Sequence, residues 1–211
     1  MYLQSAFQED RAELQHGLIR VYPLGTLIVA SGGSVTADPV PFILYPDEGE
    51  RGVLRAHVAR ANPVWRVLQE AGECLVVFQG ANDYISPSWY ASKAEHHKVV
   101  PTWNYSTVQV RGTARVMDDA RWLRPLLDDL TAMHEQRLPQ PWKLSDAPPA
   151  FIETVMQAII GIELPITSIA GKWKTNQNRS VADREGVVAG LQTQPGGAAM
   201  AALVAATLKE A

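Results

Sequence analysis

Apolar and polar positions fall into two regimes along the chain. From about residue 18 to residue 116, β-branched and aromatic residues recur in short runs cut by Gly and Pro. From about residue 118 onward the apolar spacing is mostly helical. In the first regime, 25–30 (GTLIVA) and 41–45 (PFILY) read as strands, the second closed by a Pro and acidic turn. Residues 53–58 (VLRAHV) alternate apolar and polar. Residues 59–70 predict a short helix, with Pro63 where a first-turn proline is tolerated and Trp65, Leu68 and Ala71 at helical spacing. Residues 74–78 (CLVVF) predict a buried strand ended by Gly80, and 83–86 the start of another. Residues 106–116 alternate over a long span, with Gly112 marking a bulge or bend. Six or so short strands with one small helix predict a closed or partly closed antiparallel barrel, not the βαβ rhythm of a parallel sheet.

In the second regime, 118–137 is a helix candidate with an apolar stripe of Leu123, Leu126, Leu127, Leu130 and Met133. Pro125 sets its true start or a kink. A Pro-rich linker, 138–149, precedes a second helix from Pro149, in which Phe151, Ile152, Val155, Met156 and Ile159 are expected to face inward. Ile162, Leu164 and Ile166 alternate like a strand. Residues 180–191 predict a third helix, and 198–208 an Ala-rich terminal one after the Pro195-Gly196-Gly197 break.

With 211 residues, the chain is expected to form one large domain or a domain with an appendage. Hydrophobic residues make up 46% and charged residues 19%, which permits a packed core and argues against disorder. A formal net charge of −3 weighs against a broad electrostatic footprint on DNA, so direct DNA binding is not expected. The one cysteine, Cys74, sits in an apolar run, so no intramolecular disulfide forms and a reducing compartment fits. Residues 1–10 lack an apolar signal stretch, and no apolar run approaches bilayer length. The chain therefore reads as soluble and cytoplasmic, without a membrane partner.

Candidate chemistry concentrates in three places. Residues 172–179 (KWKTNQNR) put Lys172, Lys174 and Arg179 together with the amides Asn176, Gln177 and Asn178, and Ser180 and Asp183 follow with the spacing of a helix start. Such donors suit an anionic group such as a phosphate; the alternative is a solvated polar loop. Upstream, Tyr84-Ile85-Ser86-Pro87-Ser88-Trp89-Tyr90 and Pro101-Thr102-Trp103-Asn104-Tyr105 interleave aromatics with amides and hydroxyls. Together the clusters suggest a planar aromatic ligand carrying a phosphate, although core packing accounts equally well for either Trp by residue type. Third, His57-Val58-Ala59-Arg60-Ala61-Asn62-Pro63 lies at a strand-to-helix junction. There Arg60 and Asn62 could meet a phosphate, or Asn62 could cap the helix. The adjacent His96 and His97 would face opposite sides of a strand and no Cys/His framework exists, so no metal is expected. No G-x-S-x-G elbow, G-x-G-x-x-G turn or P-loop is present, which argues against serine hydrolysis and against Rossmann or P-loop nucleotides.

At these residues the chain resembles the PaiB-type, FMN-binding negative transcriptional regulator family. The matching pieces run in order: Met1-Tyr2 with Phe7, His16-Gly17-Leu18, Gly25-Thr26-Leu27, residues 57–63, Phe78-Gln79-Gly80, 84–90, 101–105, Gly161 with Glu163, and 171–179. They cover nearly the whole chain. The resemblance implies an α+β, mainly β, fold: a split antiparallel β-barrel related to pyridoxamine-phosphate oxidases and flavin reductases, with peripheral helices in the C-terminal half. It implies one domain over 1–211, with barrel core at about 15–117 and 161–175 and helical additions at about 118–160 and 178–211. It implies FMN as cofactor, bound at the interface of a homodimer, and a role in repressing gene expression. The site residues that follow are Thr26, His57, Val58, Arg60, Asn62, Ser86, Trp89, Trp103, Asn104, Lys172, Lys174, Gln177, Asn178 and Arg179. Arg60, Asn62, Lys172, Lys174 and Arg179 would meet the phosphate. Trp89, Trp103, Asn104 and backbone near His57 would meet the isoalloxazine ring. A flavin so held could take hydride from a nicotinamide cofactor, as oxidoreductase or redox sensor; no acid–base pair is evident, and no catalytic residue is named. Two other readings stay open: a regulator acting through DNA or a protein partner without flavin chemistry, and a haem-handling relative with a histidine as axial ligand.

Overall fold

The computed structural model describes residues 1–209. A two-residue strand β1 (Gln8–Glu9) and helix α1 (Ala12–Val21) open the chain, followed by β2 (Leu24–Ser31), β3 (Ser34–Pro41), β4 (Ile43–Tyr45) and β5 (Val53–Ala59). Helix α2 (Val64–Glu70), the long strand β6 (Cys74–Ile85) and the short α3 (Ser92–His96) lead to β7 (Thr102–Gly112) and β8 (Arg115–Met117). Helices α4 (Ala120–Glu135) and α5 (Pro149–Gln157) precede β9 (Ile159–Pro165) and β10 (Ser168–Lys174); α6 (Val181–Gln192) and α7 (Ala198–Ala206) follow. The chain divides into two compact units.

The first unit comprises Met1–Leu18, Gln79–Val108 and the chain from Ala170. Its strands lie in the order β1, β10, β7, β6, and β1 pairs antiparallel with β10, Glu9 opposite Gly171. A β-carbon on Gly171 would sit 2.7 Å from the Glu9 carbonyl, so only glycine lets β1 approach. Helices α6 and α7 pack on this unit through Ile85, Tyr90, Val187, Leu191, Met200 and Val204, all buried.

The second unit comprises Ile19–Phe78 and Gln109–Ile169. One antiparallel run orders β6, β2, β3; a separate four-stranded sheet orders β4, β5, β9, β8. The register of β5 on β9 sets His57 opposite Gly161 and Val58 opposite Ile160. Leu27, Val29, Leu54, Ala56, Val76, Phe78, Ile160 and Ile162 are fully buried, as alternation in their strands requires. Helix α4 puts Leu123 against Leu144, Ile152 and Met156. Asp119 caps α4 by accepting from the Arg121 amide, and Pro125 lies inside the helix.

Several elements depart from the sequence reading. The stretch 12–21 is helical, not merely a prelude to strands. Strand β3 occupies 34–41: it pairs along the whole of β2 through a two-residue turn in which Gly32 and Gly33 have φ of 57° and 79°. It buries almost nothing, so it shows no alternation, and Pro39 is tolerated on this sheet edge. Strand β6 continues unbroken through Gly80, because Gly80 keeps phase with the buried positions before it. Helix α2 begins at Val64, five residues later than expected, since β5 extends to Ala59. The long strand expected over 106–116 starts at Thr102 and breaks after Gly112, where a β-carbon would meet the Pro165 carbonyl at 2.2 Å. On α5, Ile152 and Met156 face inward, but Phe151 and Val155 are exposed.

Candidate functional site

Within the first unit a cavity of about 210 Å³ opens where β7, the end of β10 and the turn before α6 meet. Gln4, Phe7, Tyr90, Thr102 and Asn104 line it together with Lys174, Asn176, Asn178 and Arg179. The lining contains no Asp or Glu, and among the described residues neither Lys174 nor Arg179 forms an ion pair. Lys174 Nζ donates to the Trp103 carbonyl at 2.8 Å and to the Thr102 hydroxyl. Burial, with the nearby Lys172 adding to it and Tyr105 opposing, lowers the Lys174 pKa. An anion beside it would relieve both costs. Arg179 lies over the Tyr90 ring, its Cζ 4.9 Å from the centroid.

The amides are organised differently. Asn104 is fully buried on β7; its Nδ2 donates to Asn176 Oδ1, and its own Oδ1 has no partner among the described residues. Asn176 Nδ2 in turn donates to the Tyr90 hydroxyl at 3.0 Å. A buried acceptor without a partner is costly, so Asn104 Oδ1 calls for a donor that a ligand or water would bring. Gln177 is occupied in closing the turn: Nε2 donates to the Trp173 carbonyl and Oε1 accepts from the Thr175 amide. Lys172, 7% exposed, donates to the Tyr2 carbonyl at 3.1 Å and faces the Tyr105 and Tyr2 rings. Asn178 is exposed.

The aromatic residues split in role. Trp89 packs on α6: a β-carbon at Gly190 would lie 2.3 Å from its indole, and one at Gly186 2.0 Å from its carbonyl. It is partly buried against the core cluster of this unit. Ser86 Oγ accepts from the Ser88 amide and starts the 3-10 turn Pro87–Trp89. Trp103 is exposed, edge-on to Tyr84 with centroids 6.3 Å apart, and its Nε1 donates to Asn82 Oδ1 at 3.3 Å.

The second unit holds the other expected residues. Arg60 forms a two-pronged pair with Asp118 at 2.8 and 2.6 Å and donates to the Gln157 and Ile159 carbonyls, so most of its guanidinium donors are engaged. Asn62 Oδ1 accepts from the Val64 amide at 2.9 Å, the capping role weighed from its sequence. His57 is half-buried on β5 with Nδ1 unpartnered among the described residues, and burial pushes its pKa below 6.5. Val58 is buried, and Thr26 is half-buried on β2 opposite Pro39 and Val77.

Of the expected residues, the first-unit cavity thus gathers Asn104, Lys174, Asn178 and Arg179. Tyr90, Asn176, Thr102 and Gln4 join them without having been named as site residues. For Asn176, Tyr90 and Thr102 a signal existed, since they sit in the Asn-Gln-Asn run and the two aromatic runs; Gln4 carried none.

A family model described as "Putative FMN-binding domain" matches residues 1–168. The chain belongs to this family. FMN is its cofactor. The chain is 32% identical to the uncharacterized protein AN0679 of Emericella nidulans, over 91% of this chain and 90% of that one. It is 28% identical to the protease synthase and sporulation protein PAI 2 of Bacillus subtilis, over 100% of this chain and 99% of that one. The PaiB-type resemblance therefore stands. Among solved structures, the FAD and heme binding protein from Mycobacterium smegmatis aligns with a TM-score of 0.56 at 20% identity, over 79% of this chain and 73% of that one. The fold is the expected split barrel of flavin-binding proteins, mainly antiparallel with added helices. No helix among the described residues is long and apolar enough to cross a membrane.

Proposed function

We propose that this FMN-binding protein holds the flavin phosphate in the first-unit cavity, works as a homodimer within one functional domain over 1–211, and links flavin redox state to regulation. The single observation that supports the site most is the pair of cations, Lys174 and Arg179, in a lining without any carboxylate. A phosphate would receive charge-assisted hydrogen bonds from both, with Asn178 adding an amide donor. Arg60, already paired with Asp118 and bonded to two carbonyls, is left a structural role in this reading. Asn104 Oδ1 would accept from a ligand donor, and the exposed Tyr84–Trp103 pair would offer apolar ring surface. The cavity, about 210 Å³, is below the roughly 300–1,000 Å³ of small-molecule sites, which supports completion by a second copy. Bound FMN supplies a ring able to accept hydride, for which a reduced nicotinamide cofactor is the proposed donor. The regulatory part of the reading leans on the name of the Bacillus subtilis relative, with direct DNA contact disfavoured by the net charge of −3.

The decisive measurement compares FMN with riboflavin, which lacks the phosphate, by fluorescence titration. FMN should bind at least about 150-fold tighter, and Lys174→Ala or Arg179→Ala should each erase about 1.5 kcal/mol or more of that preference. Equal affinity for the two flavins would overturn the assignment. A haem reading has one observation in its favour, the half-buried His57 with an unpartnered Nδ1. The absorption spectrum separates the two, since flavin gives two near-visible bands and haem a Soret band.

A further inference from the structure

We infer that Asn176 is the positioning residue of the cavity: its amide joins Asn104 to Tyr90, and through the Tyr90 ring it sets the place of Arg179. The inference deepens the reading above and rests on it for the identity of the anion. Two non-glycine residues among those described have positive φ, His97 and Asn176, and of these Asn176 alone is buried, at φ 65° and 4% exposure. That left-handed conformation disfavours most side chains, and Asn tolerates it better than nearly all. Strain of this kind persists where surrounding contacts over-determine it.

Those contacts are specific. The Asn176 carbonyl accepts from the Arg179 amide at 2.9 Å, which closes the turn between β10 and α6. Oδ1 accepts from Asn104, so the Asn104 amide is oriented with its Nδ2 inward and its oxygen left as a free acceptor in the cavity lining. Nδ2 donates to Tyr90, whose ring then lies beneath the Arg179 guanidinium. One side chain thereby fixes an acceptor and a cation that otherwise share no bond. The Tyr90 oxygen accepts inside the protein, which fixes the ring under Arg179.

Asn176→Gly separates backbone from side chain, because glycine adopts positive φ without cost and only the two amide hydrogen bonds disappear. Loss of one such bond corresponds to about tenfold in affinity. FMN affinity should therefore weaken about tenfold or more, and riboflavin affinity less, because both flavins lose the oriented Asn104 acceptor but only FMN also loses the Arg179 contact. In the flavin-free protein the Arg179 Nε–H signal should move from a dispersed position to that of a solvated arginine. Tyr90→Phe, which keeps the ring, should weaken FMN in the same direction and add little to Asn176→Gly. An FMN affinity within twofold of wild type for either folded variant, with the Arg179 signal unmoved, overturns the inference. If the unaltered protein binds FMN and riboflavin alike, the phosphate assignment fails by itself, and the Arg179 signal still decides whether Asn176 positions it.

Discussion

His57 shows how one residue's setting differs from its type. A histidine before Val-Ala-Arg invites a ligand role, yet its ring is half-buried, and burial alone holds its pKa below 6.5. Below pH 6.5 the unfolded chain binds the proton more readily than the folded one. Stability is therefore fullest above that value and declines as pH falls through it toward the folded pKa. Urea unfolding between pH 8 and pH 5 should show this slope, and His57→Gln should flatten it. An identical slope in the variant would assign it elsewhere. Glu9, whose carboxyl is held low mainly by the Arg11 side-chain hydrogen bond, acts in a separate window below pH 4.5. The cations and amides that line the cavity stood out by residue type, because residues 172–179 crowd them together. The place of Asn176 was not, because it depends on a backbone angle and on which neighbours converge.

At the scale of elements, the helices after residue 118 were read well and their faces less so. The apolar stripe of α4 buries Leu123, Leu126 and Leu130 as its spacing requires. Helix α5 carries more apolar residues than one face can hide, and periodicity alone cannot choose among adjacent ones. The structure buries Ile152 at 4% and leaves Phe151 at 57%. Ile152→Ala should cost about 2–5 kcal/mol, whereas Phe151→Ala should stay within about 0.5 kcal/mol. Urea midpoints of both variants check the contrast, and similar losses would mean that Phe151 is covered in solution. Strand β3 and the continuation of β6 past Gly80 escaped notice for a related reason. Strand β3 buries almost nothing and is held by backbone pairing with β2, and Gly80 suggests a strand end by residue type although it keeps the phase of β6.

For the whole molecule, ligand binding and stability are one quantity. FMN at a hundred times its dissociation constant should add about 2.7 kcal/mol of stability. The rise in melting temperature with FMN should shrink as salt increases, since Lys174 and Arg179, the proposed phosphate ligands, are partly exposed. Riboflavin should show a smaller rise with weaker salt dependence. Identical salt curves for the two flavins would separate cofactor binding from this cavity. The amino-acid pattern by itself determined the class of fold, the run of helices after residue 118, and the gathering of cations and amides at 172–179. These depend on composition and short-range spacing, which a linear chain carries. Tertiary structure alone decided that Arg60 is spent on Asp118, that Trp89 is packed on α6, and that Asn104, Asn176 and Tyr90 form one chain of bonds beside Arg179. Each of those outcomes turns on which distant residue arrives first at a donor or a ring, and long-range convergence has no period to read.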